Sequence, residues 1–158
     1  MPTIMWFRRD LRLRDNPALL AAIDAARSDG DGEVLGLFVQ DPVLMGASGP
    51  VRREYLAASL ACLDASMGGR LHVRTGDPRT ILPALAREVS ASSVHVAADY
   101  APYGSSRDHA VEQALGSVPL IRTGSPYAVA PGRVTKDDGT PYRVYTPFHR
   151  AWMRHCLL

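Results

Sequence analysis

Three clusters of polar and aromatic residues each follow a short apolar run. They are Arg8, Arg9 and Asp10; Gln40, Asp41 and Pro42; and Asp99, Tyr100, Pro102, Tyr103 and Gly104. Together they supply guanidinium forks, carboxylates and aromatic faces. Arginine's planar head pairs with carboxylates, phosphates and ring faces alike. The set would therefore suit a flat molecule with a polar edge. A plainer reading stands beside it: these arginines and aspartates form surface ion pairs of little energetic weight.

Other familiar chemistries are missing. The segment after the first apolar run is Arg8-Arg9-Asp10-Leu11-Arg12, with no Gly-x-Gly-x-x-Gly, and no Walker A sequence occurs. Gly30 and Gly32 precede a strand, the wrong end for cradling phosphates. His72, His95, His109, His149 and His155 show no metal spacing, and Ser105-Ser106 lacks the glycine frame of a nucleophile elbow. Cys62 and Cys156 are far apart and outside any CxxC pattern. They read as free thiols in a reducing cytoplasm, with Cys62 on the core side of a helix. No catalytic constellation and no metal site emerges.

The positioning elements are legible in the hydrophobic pattern. Thr3 to Phe7, Val34 to Val39, Leu71 to Thr75, Ser93 to Ala98 and Val118 to Arg122 read as strands. Several are apolar on both faces, as in a parallel sheet covered on each side. Asp15-Asn16-Pro17 and Asp77-Pro78 are cap-plus-proline helix starts. Pro50 opens a helix carrying Tyr55, Leu56, Leu60 and Leu63, closed by Gly68-Gly69, and Ser106 to Leu115 fits another. Ser28-Asp29-Gly30-Asp31-Gly32 reads as a loop. The alternation predicts an α/β fold, a doubly wound five-stranded parallel sheet with helices on both faces. In such sheets ligands bind beyond the carboxyl ends of the strands, where the three clusters fall.

The expected division is an α/β domain over 1–123 and a linker with the start of a helix over 124–158, the last amphipathic stretch being Phe148 to Leu158. The chain has 158 residues, 46% hydrophobic and 22% charged, with a net charge of +2. That charge is too small to argue for nucleic-acid binding, and no apolar run approaches a membrane span. No signal peptide is read at the N-terminus.

Two longer motifs go beyond generic α/β punctuation. Trp6-Phe7-Arg8-Arg9-Asp10-Leu11-Arg12-Leu13-Arg14-Asp15-Asn16 resembles the opening signature of the DNA photolyase/cryptochrome family. Gly139-Thr140-Pro141-Tyr142-Arg143-Val144-Tyr145-Thr146-Pro147-Phe148 with Trp152 is similar to that family's exit from its α/β domain. Gly76-Asp77-Pro78 and Asp99-Tyr100-x-Pro102-Tyr103-Gly104-x-x-Arg107-Asp108 fit between them. The resemblance implies an N-terminal domain holding a light-harvesting antenna chromophore. A separate helical domain would hold FAD, bind damaged DNA and carry the repair chemistry on cyclobutane pyrimidine dimers, with the lesion flipped from the duplex. This chain alone is expected to be inactive.

The resemblance also implies a pocket of Val39, Gln40, Asp41, Arg52, Asp99, Tyr100, Ala101, Pro102, Tyr103, Gly104 and Arg107. Folate-binding relatives carry an Asn-Glu pair where this chain has Tyr103-Gly104. The implied chromophore is therefore 8-hydroxy-5-deazaflavin first, FMN second and a folate last. Alternatives are a cryptochrome-type blue-light photosensor domain, a free-standing α/β nucleotide-binding protein, and a fragment with an empty pocket. The implied partner is the helical FAD domain, and through it damaged DNA. Self-association through 142–158, built on Phe148, Trp152 and Leu157, is a further expectation.

Overall fold

The computed structural model describes residues 1–28 and 32–156. Its elements run β1 (Thr3–Phe7), α1 (Pro17–Ser28), β2 (Val34–Gln40), α2 (Pro42–Gly46), α3 (Pro50–Ser66), β3 (His72–Thr75), α4 (Pro78–Glu88), β4 (Ser93–Val96), α5 (Pro102–Leu115), β5 (Leu120–Arg122) and α6 (Tyr145–Cys156). The strands form one parallel sheet in the order β3-β2-β1-β4-β5. Strand order reverses beside β1, so the crevice at its carboxyl end is the natural ligand position. No described helix is long and apolar enough to cross a membrane.

β1 is central and wholly buried, and its two-residue period feeds two cores. Ile4 and Trp6 pack with Leu37, Val39, Leu82, Leu85 and Val111 under α4 and α5. Met5 and Phe7 pack with Phe38, Ala18, Ala22, Leu60 and Leu63 under α1 and α3. Small residues on α1 let it lie close to the sheet.

The punctuation works through specific donors. Asn16 Oδ1 accepts from Leu19 N at 3.2 Å, while Asp77 Oδ1 accepts from Arg79 N at 2.9 Å. Two starts escaped the pattern reading. Asp41-Pro42 begins the short α2, with Asp41 Oδ1 accepting from Val43 N at 3.0 Å. Helix α5 begins at Pro102, four residues before Ser106. Its first turn contains Gly104, a poor helix former that reads as loop. Cys62 is also corrected, since α3 turns Leu60 and Leu63 inward and leaves Cys62 exposed. Asp29 to Asp31 of the expected loop lie outside the described residues.

The chain separates into two compact units, Met1–Gly124 and Ser125–Leu158. In the second, Thr135 and Pro141 form an isolated antiparallel bridge. Asp138 Oδ1 accepts from Thr140 N at 2.9 Å, which holds its carboxyl below the usual range together with the stronger Thr140 hydroxyl bond. Along α6, Tyr145 stacks on His149 at 5.5 Å, and the Tyr142 and Phe148 rings meet edge-on at 6.2 Å. Leu157 and Leu158, part of the expected apolar face, lie outside the described residues.

Candidate functional site

The carboxyl ends of β1, β2 and β4 converge with the first turn of α5. Arg8 leaves β1 and reaches Asp108 on α5, its NH1 donating to Oδ1 at 2.5 Å. Its NH2 donates to the Ala97 carbonyl just past β4. Arg107 donates to the same Asp108 oxygen from Nε at 3.1 Å and NH2 at 2.9 Å, and to Asp99 Oδ2 at 3.4 Å. These are buried pairs: the side chains of Arg107 and Asp108 are 7% and 3% exposed. The surface-pair reading therefore fails for them. Burial pushes the Asp108 carboxyl above the usual carboxylate range, against the pull of Arg8.

Trp6 lies beneath this network. The Arg8 and Arg107 guanidinium carbons sit 4.7 and 5.1 Å from its ring centroid. Tyr103 and Arg107, one helical turn apart, share a face of α5, and Arg107 also lies 5.8 Å from the Tyr103 ring. Trp6 Nε1, Asp10 Oδ2 and Asp108 Oδ2 are buried without a hydrogen-bond partner.

A cavity of ≈ 170 Å³ opens here, lined by Trp6, Phe38, Val39, Leu44, Pro78 and Ala101 on its apolar side. Arg8, Arg9, Asp41, Asp99, Tyr103, Gly104 and Arg107 supply the polar side. An adjoining cavity of ≈ 340 Å³ shares Asp41, Tyr103 and Arg107 and adds Pro42, Val43, Asp77, Arg79, Ser106 and Ala110. Together the two fall in the ~300–1,000 Å³ range of small-molecule sites. Where they meet, the Tyr103 hydroxyl donates to Asp41 Oδ2 at 2.5 Å.

The geometry thus gathers Val39, Asp41, Asp99, Ala101, Tyr103, Gly104 and Arg107 from the sequence set. Four others do not line either cavity. Gln40 accepts from the Thr75 hydroxyl at 3.0 Å on the β3 side. Arg52 is exposed on α3, Tyr100 is 45% exposed, and Pro102 is the exposed first residue of α5. Trp6, Phe38, Leu44 and Pro78 are wall residues outside that set. The alternation of β1 signals Trp6, because Ile4 and Trp6 share a face. Asp10 is buried and accepts from Arg8 N at 3.1 Å rather than pairing with a guanidinium.

Burial, and then the hydrogen bond to Asp41, pushes the Tyr103 phenol up to about 12. Because the native value is raised, this group's contribution to stability is full below the ordinary tyrosine pKa of ~10. That contribution is lost as pH rises through about 12. Absorbance at 295 nm should show one of the six tyrosines ionising last. Tyr103→Phe should remove that component, and an unchanged titration would break the assignment.

The DNA photolyase family model matches residues 3–158. The deoxyribodipyrimidine photo-lyase of Agrobacterium fabrum is 39% identical over 155 residues, covering 95% of this chain and 31% of that protein. The chain spans about a third of the length of the curated relatives it matches. A bacterial class III photolyase from Agrobacterium tumefaciens aligns with TM-score 0.83 and 36% identity, over 96% of this chain and 31% of its own. An archaeal photolyase from Sulfolobus tokodaii, described with two FAD molecules and the implication of a novel light-harvesting cofactor, aligns with TM-score 0.73 and 25% identity. It is covered to 34% of its length, against 95% of this chain.

Proposed function

The chain belongs to the DNA photolyase family, and we propose that its α/β unit is the antenna-chromophore domain of a light-driven DNA repair enzyme. The carrying observation is the cavity at the switch point of the sheet. Trp6, Phe38 and Val39 offer it apolar and aromatic wall, while Asp41, Asp99 and Arg107 offer polar rim. The Trp6 ring is held in place by the Arg8 and Arg107 guanidinium groups over its face. These features fit a tricyclic deazaflavin or flavin. When bound, such a group would absorb light and pass excitation on. This chain's residues would bind it, orient it and keep water from its ring. The Sulfolobus photolyase is a relative described with two FAD molecules and the implication of a novel light-harvesting cofactor.

Fluorescence titration of the purified chain with 8-hydroxy-5-deazaflavin, FMN and a reduced folate tests this. The deazaflavin and FMN should bind more tightly than the folate; tighter folate binding would overturn the choice. Asp99→Ala should weaken the deazaflavin by roughly 1.5–3 kcal/mol, the scale of a charge-assisted hydrogen bond. Under blue light the same sample should leave pyrimidine dimers intact. Repair in the longer relatives is assigned, on this reading, to the helical FAD domain that also engages damaged DNA in the cytoplasm.

That helical domain is also the proposed cover for α6, whose Tyr145, Phe148 and Met153 are 73%, 36% and 40% exposed. For the isolated 158-residue chain, the expected outcome is self-association through 142–158. Sedimentation at rising concentration should report it, and truncation after Thr146 should abolish it. A concentration-independent monomer would show otherwise.

A further inference from the structure

We infer that the outer cavity is charge-balanced so as to seat an uncharged polyol chain, and that the site therefore prefers an unphosphorylated ribityl side chain to its phosphate ester. This rests on the antenna reading and sharpens it from a ring class to a tail class. The inner cavity holds the aromatic and apolar wall, so the ring belongs there, and a chain extending from it passes the Tyr103–Asp41 clasp into the outer cavity.

Two guanidinium groups face that outer space, and both are committed. Arg79 grips Asp77 in a fork, Nε to Oδ1 at 3.0 Å and Oδ2 at 2.8 Å, and NH2 to Oδ2 at 2.5 Å. That grip holds the Asp77 carboxyl below its usual range, so it stays anionic. Arg107 is divided between Asp99 and Asp108. Asp41 spends one oxygen on Val43 N and the other on the Tyr103 hydroxyl. The lining therefore sets two arginines against two aspartates, Asp41 and Asp77. An entering phosphate would have to compete with Asp77 for the Arg79 charge and sit beside both carboxylates. Polyol hydroxyls bring no charge to set against Asp41 and Asp77, and each can donate to a carboxylate lone pair and accept from a free guanidinium N–H or the Ser106 hydroxyl. Arg9, with no carboxylate partner among the described residues, lines the inner cavity rather than the outer one.

Riboflavin and FMN form the matched pair, since they share a ring and differ by one phosphate. Titrated into the intact chain by flavin fluorescence at neutral pH, riboflavin should bind about fivefold more tightly, the scale of an exposed ion pair that must be broken. Asp77→Asn frees Arg79 while retaining a good helix cap, so the preference should shrink or reverse. FMN binding as tightly as riboflavin in the wild type, or a preference unmoved by Asp77→Asn, overturns the inference. An FMN advantage that Arg9→Gln removes also overturns it, by placing the tail at the inner mouth. If neither flavin nor the deazaflavin binds, the antenna reading itself fails, which is a different result from a reversed preference.

Discussion

Asp108→Ala should destabilise the chain by about 3–5 kcal/mol, the cost of removing one partner from a buried charge network. Its Oδ1 takes hydrogen bonds from both Arg8 and Arg107, so truncation leaves Arg8 with only the Ala97 carbonyl and Arg107 with only the longer Asp99 contact. Against a total stability of ~5–15 kcal/mol that loss is severe. Urea unfolding at neutral pH should show a large fall in midpoint. Asp108→Asn should be far milder. The amide keeps an oxygen for the arginines, and the Oδ2 position it converts already lacks a partner.

The pH dependence separates the two roles further. Burial raises the native pKa of Asp108, so the folded state favours the protonated carboxyl. Its titration therefore contributes stability that is full below the ordinary carboxylate range and lost as pH rises through the raised native value. The asparagine variant has no proton to lose. The wild type's advantage over it should narrow between acid and neutral pH. Equal costs for alanine and asparagine would mean that Asp108 acts through its volume and not as an acceptor.

The sheet was legible because its signals are local. Five apolar runs and the Asn16-Pro17 and Asp77-Pro78 starts each lie within a few residues, and β1 carries both cores on a two-residue period. The start of α2 carries the same Asp-Pro signal at Asp41-Pro42. Tyr103-Gly104 looks like loop and so hides the first turn of α5, which begins at Pro102. What the residues could not disclose is pairing at long range. Arg8 meets Asp108 across 100 positions, and Tyr103 meets Asp41 across 62. No spacing rule links them, since the sheet order brings them together. Asp99, Gly104 and Arg107 of the Asp99-Tyr100-x-Pro102-Tyr103-Gly104-x-x-Arg107-Asp108 motif line the cavity, whereas Arg52 lies outside it, exposed on α3.

Gly104→Ala should reduce ligand affinity by at least about tenfold while changing stability by no more than ~2 kcal/mol. Gly104 is buried in the first turn of α5, with an ordinary helical backbone. Alanine there gains up to ~1 kcal/mol of helix propensity. The added methyl, however, would overlap the Asp99 carboxyl group. Asp99 is held by Ala101 N at 3.0 Å on one oxygen and by Arg107 on the other. The clash must turn Asp99 out of both contacts and into the space its carboxylate borders, and overpacking of this kind costs about 1–3 kcal/mol. The two stability effects largely offset. The binding effect has no offset, because the rim loses a charge-assisted bond worth ~1.5–3 kcal/mol, or roughly ten- to hundredfold. Gly46→Ala is the control, since a methyl there meets nothing within 4 Å. Deazaflavin titration and thermal melting of both variants decide the matter. A Gly104→Ala chain that binds like the wild type would remove Asp99 from the ligand's boundary, and with it the reason glycine stands at this position.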